Sequence, residues 1–590
     1  MKAKIKISLW ALAGIVMFSF TGCNPDLLDK VPSYQVSSGT IWTTENLARQ
    51  AVTGVYGYLR AGGYATQDAG EPLFDVMSSV LDYDLNWLGN IPMKQGNANP
   101  NSGIYMNKWR SFYELIYRAN DVINNIDLVP DMSNALKGQF KAECKFLRAF
   151  GYFRLNQLFR GVPIYLENLE VTEYTKPRST EKEVWDAILA DLTDCINEPN
   201  LPNKYAASNG NYGRVTKGAA YALRGKVYLW MSEWAKAEAD FKAVTTMGYA
   251  LFSDYKALFK VANERCDEMI FSIQFLPISG YSHRLTRAFG NRVTGGSAWN
   301  NYIVNPSLAE SFECADGKPF NWDDFLPGYS SMTPKQRSVF FLRNNMTAGE
   351  ITNMTTFGAD MTKYLPTENE ARILAAFTNR DPRLGYNIIT PYSTYLGGVS
   401  GSAVTYTLRW PWRRITSPDF DVQTDTNAKF YYLVRKFVPE GTESLNINLG
   451  EIDIPLIRYA DVLLCLAEAL NEQGKTDEAV TYVNMVRDRV KHQLLNTNSF
   501  TTVAGKDNMR IRIRNERYWE LPFEEHMYFD ELRWKTWKEK AFYTGNGMTE
   551  VWGLATYTYR WLGDHNYIWP IPLTEMQMNP NLTQNPGWQN

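Results

Sequence analysis

The chain has 590 residues, 61 Lys and Arg against 63 Asp and Glu, and a formal net charge of −2. With no cationic excess to neutralise phosphates, nucleic acid is excluded as a partner, and a chain this long can build its core without disulfides. Aromatic residues make up 14%, with 18 Trp and 35 Tyr, enough flat amphipathic rings to supply a binding surface after the core is filled.

Lys2, Lys4 and Lys6 precede an apolar run from Ile7 to Phe20. That run is too short to span a bilayer comfortably and reads as a signal peptide over 1–22. It ends Phe20-Thr21-Gly22-Cys23, small residues before a cysteine as in a bacterial lipobox, although Phe20 stands where leucine is usual. Cys23 is thereby the expected lipidation site and 23–40 a tether; an ordinary signal peptide with a chance cysteine is the alternative. Several acyl chains on one cysteine make anchoring stable. Cys144, Cys195, Cys266, Cys314 and Cys465 remain, an odd number without CxxC spacing, and are expected to be free thiols.

Thr44 and Glu45 open a helix to about Arg60. Gly62, Gly63 and Gly70 then loosen the chain, and the segment 74–108 holds Asp82, Tyr83, Asp84, Asn86 and Trp87. Helical spacing predicts helices over Trp109–Ile126, from about Asn134 to Phe159, and over Glu181–Ile196. A helical hairpin follows over Thr216–Met247, in which Gly225, Tyr228, Ala237 and Phe241 stand at the same offsets as Ala467, Leu470, Ala479 and Val483 far downstream. Small residues at facing positions let two antiparallel helices approach, the spacing of a tetratricopeptide (TPR) hairpin. In the downstream copy Gly474 stops the first helix and Thr476 caps the second.

Between the two hairpins the character changes. Met269–Phe275 alternates like a strand, Gly280–Tyr302 is rich in Gly, Arg, Asn and aromatics, Pro306–Phe312 reads as a short helix and Phe430–Phe437 as a short strand. Helices are expected to resume at Leu456. The predicted fold is mainly α: a TPR-like scaffold (41–250 and 451–590) interrupted by an irregular lobe (251–450) with short strands.

The dense set Glu516, Arg517, Glu520 and Glu524 could form a general acid/base pair; a buried ion network joining helices is the reading adopted. His283, His492, His526 and His565 are scattered, and H-E-x-x-H, CxxC, GxSxG, P-loop and dinucleotide patterns are missing. No catalytic residues, no metal and no cofactor are predicted. A structural calcium site of Asp and carbonyl oxygens leaves no sharp signature and is not predicted either.

An ordered set of segments spans nearly the whole mature chain: the lipobox at Cys23; LLDKVPS near Leu27; IWTTENLARQAVTGVY from Ile41; WRSFYELIYRANDVI from Trp109; AECKFLRAFGYFRLNQLFRGVPI from Ala142; RVTKGAAYALRGKVYL from Arg214; RDPRL from Arg380; IPLIRYADVLLCLAEALNEQG from Ile454; NERYWELPFEE from Asn515; and IWPIP with NPNLTQNPGW at the end. This set resembles the SusD/RagB family of outer-membrane lipoproteins from Bacteroidetes. Glu525-His526 departs from it, where members more often have Gly and then Arg two residues on.

The resemblance implies a SusD-like fold and a lipid-anchored, non-catalytic protein at the outer membrane, facing the cell exterior. Its partner would be a SusC-type TonB-dependent transporter, and its role to bind an oligo- or polysaccharide and close over the transporter like a lid. The RagB branch supplies the alternative, a peptide ligand for a peptide transporter. A sugar ring offers an apolar face to stack on aromatic rings and hydroxyls for Asp, Asn and Arg. Two stretches fit: Tyr83, Asp84 and Trp87, where family members often place glycan contacts; and Trp299, Asn300 and Tyr302, preceded by Arg287, Asn291 and Arg292. Trp322, Tyr329, Trp410 and Trp412 are weaker candidates. Core packing is the competing reading for each.

Overall fold

A computed structural model of the chain describes residues 41–60, 74–83, 92–296, 298–399, 401–424, 429–443, 446–542 and 547–589. The expected signal peptide, Cys23, Asp84 and Trp87 lie outside them.

The frame is a succession of helices, each packed on the next: α1 (Glu45–Leu59), α2 (Gly103–Asn125), α3 (Asn134–Phe159), α4 (Glu181–Asn197), α5 (Lys217–Trp230) and α6 (Trp234–Thr245). Local chemistry sets several starts. The hydroxyls of Thr44, Thr180 and Thr216 accept the N–H groups of Leu47, Glu183 and Ala219, and Glu183 closes a capping box. In the α5–α6 hairpin a Cβ on Gly225 would stand 2.6 Å from the Phe241 ring, so only glycine lets the helices approach this closely.

The chain then leaves the frame through β2 (Met269–Ile273) and returns through β8 (Ile454–Arg458), and these two strands pair antiparallel. The frame resumes with α7 (Tyr459–Glu472), α8 (Thr476–Arg489), α9 (Lys506–Glu520) and α10 (Met527–Trp534). Helix α6 packs directly on α7, so the two TPR-like hairpins are neighbours in space. Two sequence expectations are corrected here. The helix expected at Leu456 begins at Tyr459, because Ile454–Arg458 is a wholly buried strand on β2; a short apolar run does not by periodicity separate strand from helix. Thr476 is the first helical residue after the Lys475 N-cap, and its hydroxyl donates to Asn471 Oδ1 at 3.0 Å.

The inserted segment carries short helices, a hairpin of β5 (Thr394–Val399) and β6 (Ser402–Thr407), and a sheet ordered β1–β3–β7–β4 from Leu81–Tyr83, Tyr302–Val304, Tyr432–Val434 and Ile388–Ile389. The 74–83 segment of the frame thus supplies an edge strand to the insertion.

A buried ion network bolts insertion to frame. Arg458 meets Glu268 (2.7 Å), Glu520 (2.6 Å) and Glu524 (2.6 Å); Lys436 and Arg383 of the insertion reach Glu524 and Glu516; Arg487 joins Glu516 to Glu313. Arg517 pairs with Asp461 and Asp530. The set Glu516, Arg517, Glu520 and Glu524 is therefore spent on ion pairs. The five described cysteines are free thiols, four of them buried.

Candidate functional site

Strand pairing decides the fate of the predicted ligand residues. Tyr83 lies opposite Tyr302 in the β1–β3 register, and their rings stack with centroids 4.9 Å apart and hydroxyls 3.3 Å apart. Phe289 meets Tyr302 edge-on at 5.2 Å. Both tyrosines are only 1% exposed, so their faces are used on each other rather than offered to a ligand. On the other face Asp82 is buried against Lys94 (2.7 Å), Asn305 (2.9 Å) and Tyr559. Asn300 is also buried; its backbone turns with φ 37°, a left-handed geometry that asparagine tolerates, and its N–H donates to Gly290 O at 2.7 Å. The expectation that Tyr83, Asn300 and Tyr302 contact a glycan is corrected accordingly: they build the floor beneath a surface.

Trp299 is different. It is partly exposed, held where its N–H donates to Arg287 O at 2.7 Å. The Arg287 guanidinium carbon lies 3.1 Å from the Trp299 ring centroid, and its Nη1 donates to Asn448 Oδ1 at 2.9 Å. A ring, a planar cation and an amide from three separate segments thus meet at the surface. Among the weaker candidates, Trp322 and Tyr329 are buried and stacked on each other at 4.8 Å, whereas Trp410 and Trp412 are partly exposed.

A cavity of about 690 Å³ lies elsewhere, between α2, the segment 163–175 and the tail. Its wall includes Trp109, Tyr113 and Tyr117, four residues apart on one ridge of α2, together with Tyr165, Tyr174 and Glu575. Tyr117 is 51% and Met578 67% exposed. Burial pushes the Glu575 carboxyl up while the Trp109 indole N–H pulls it back. Sequence reasoning missed this cavity. The i, i+4, i+8 spacing of the α2 rings was a usable signal; the walls from 163–175 and 575–582 meet it only through folding. Among the described residues no group of three or more His, Cys, Asp or Glu is placed to hold a metal ion.

A sequence model described as "SusD family" matches residues 267–588. The chain belongs to the SusD/RagB family. A second model, "Starch-binding associating with outer membrane", matches 26–229. A curated relative, SusD-like protein P25 of Formosa agariphila, is 24% identical, the match covering 98% of this chain and 97% of the relative. Among solved structures, a SusD-like protein of Bacteroides fragilis superposes with TM-score 0.73 at 23% identity, covering 95% of this chain and 100% of the other. A laminarin-binding SusD-like protein superposes with TM-score 0.63 at 22% identity, covering 93% and 100%. At these identities the structural likeness establishes the SusD fold.

At Glu525, where SusD/RagB members more often have Gly, the backbone takes a geometry that suits glycine. Glu525 has φ 65°, the left-handed region that favours glycine. Its carboxylate accepts the Phe74 N–H at 2.6 Å, while Asp75 accepts the N–H groups of Glu525 and Met527, both at 3.0 Å. Two carboxyls, Glu525 and Asp75, are thus buried together.

Proposed function

We propose that this protein is a cell-surface glycan-binding lipoprotein, anchored through Cys23 in the outer membrane and delivering an oligo- or polysaccharide to a SusC-type TonB-dependent transporter without catalysing a reaction. The observation that carries the binding half is the Trp299–Arg287–Asn448 platform: a partly exposed indole with the Arg287 guanidinium over one face and the other face to take the C–H side of a pyranose, with donors beside it for hydroxyls. Family membership supports the assignment, and the starch- and laminarin-binding descriptions of similar proteins give the ligand class its starting panel.

Affinity electrophoresis of the soluble chain, cut after Cys23, in gels containing a panel of polysaccharides tests it. Retardation is expected in at least one gel, and Trp299→Ala is expected to weaken it by about tenfold, the scale of one lost stacking contact. No retardation across the panel, or co-purifying peptides in its place, overturns the glycan reading.

The transporter half rests on the frame. The α2 cavity is lined by frame and tail residues alone, and its Trp, Tyr, Met and Arg content is that of a protein–protein interface core. We assign it to side chains of the transporter. Tyr117→Arg is expected to cut co-purification of the transporter by about tenfold or more while leaving gel retardation by glycan intact. Unchanged co-purification would refute the docking assignment.

A further inference from the structure

The charges around Trp299 narrow the class of sugar that the platform takes, an inference that rests on the glycan reading of the proposed function. Arg284, Arg287 and Arg292 fall within one turn-and-loop segment, the middle one on the short helix Leu285–Phe289. That helix is fixed from two sides: Trp299 N–H bonds the Arg287 carbonyl, and His283 bridges to Gly450 through two backbone hydrogen bonds of 2.9 and 2.8 Å, which brings Asn448 alongside. Arg287 therefore presents its guanidinium against the Trp299 ring with Nη1 on Asn448.

Among the described residues no carboxylate pairs with Arg287, and its buried Nε makes no hydrogen bond. Several arginines elsewhere in the chain are matched by carboxylates. Arg343, Arg383, Arg458, Arg487 and Arg533 each meet at least one carboxylate within 3.0 Å. Burial, and then the like charges of Arg284 and Arg292, hold the Arg287 guanidinium below the ordinary arginine value.

We propose that the platform selects an acidic sugar unit, its ring against Trp299 and its oxyanion, a uronate carboxylate or a sulfate ester, on the Arg287 guanidinium. A neutral hydroxyl would accept one hydrogen bond and leave the charge uncompensated. An oxyanion accepts two from the planar fork and also relieves the repulsion. The attraction between a guanidinium and an oxyanion at this partly exposed position falls with salt. The net charge of −2 makes indiscriminate attraction of polyanions a poor alternative.

The test pairs each acidic polymer with its own neutral backbone: polygalacturonate against its carboxyl-reduced form, and a sulfated galactan against its desulfated form. Laminarin and starch serve as neutral references. Titration calorimetry on the soluble chain is expected to show at least tenfold tighter binding to one acidic member than to its neutral counterpart, with affinity falling as salt is raised. Which pair shows the difference distinguishes uronate from sulfate. Arg287→Gln, checked for an unchanged melting transition, is expected to abolish the discrimination while retaining residual neutral binding; Arg287→Lys should restore only part of it, because a point charge replaces a fork. Equal affinity for both members of both pairs, or Arg287→Gln losing acidic and neutral binding alike, overturns the proposal and leaves the carbohydrate reading standing. Binding to none of these polymers overturns both.

Discussion

Arg458→Ala is expected to lower the stability of the folded protein by about 3–5 kcal/mol, the range for removing one partner of a buried ion pair. The guanidinium is fully buried and is shared by Glu268, Glu520 and Glu524, with a further bond to the Glu520 carbonyl at 2.7 Å. Truncation leaves three carboxylates in a dry environment with fewer compensating charges. Arg489 still reaches Glu268 and Glu520, and Lys436 still reaches Glu524. Lys436 is itself held down to about 8, first by burial and against the pull of Glu524, so it is a weak substitute. Because Glu268 precedes β2, Arg458 ends β8 and Glu520 ends α9, the loss falls on the joint where the insertion leaves and re-enters the frame. Urea unfolding followed by tryptophan fluorescence reads the effect; a change under about 1 kcal/mol would show that the network is dispensable.

Stability is expected to fall as pH rises through neutrality, and Glu525→Gln is expected to flatten that dependence. Burial, then the facing Asp75 carboxyl, pushes Glu525 up to about 8, and burial raises Asp75 as well. A carboxyl whose folded value exceeds its unfolded one keeps its proton in the native state after the unfolded chain has lost it. The native state then binds more protons, so the stability it contributes is present below the ordinary carboxylate range and is lost as pH climbs toward 8. The loss is on the order of 4 kcal/mol for Glu525 alone. Glutamine can still accept the Phe74 N–H but carries no charge to repel Asp75. Melting curves from pH 5 to 9 should show the variant gaining on the parent above neutrality; parallel curves would refute the pairing.

The helical frame was legible in the sequence because its signals are local. Thr44, Thr180 and Thr216 each act on an N–H three residues on, and the Gly225–Phe241 and Ala467–Val483 spacings record contact between adjacent helices. The ordered motifs carried the family in the same way. The candidate site was legible only in part. Trp299 stands at the surface as its segment suggested, but its neighbours Asn300 and Tyr302 do not. Three consecutive-looking candidates are separated by a left-handed turn at 300 and by entry into β3. Nothing local told Tyr302 that Tyr83 would lie across from it.

Amino-acid order alone determined the element types of the frame, its interruption, the free thiols and the family, since these depend on periodicity, spacing and composition. Tertiary structure decided which aromatics are spent in the core, that the two hairpins meet face to face through α6 and α7, and that Ile454–Arg458 is a strand. It also brought Arg287, Trp299 and Asn448 to one place and closed a cavity from α2, 163–175 and the tail. Each of these depends on pairing between segments far apart in the chain, and a side chain's exposure is set by that pairing rather than by its neighbours in sequence.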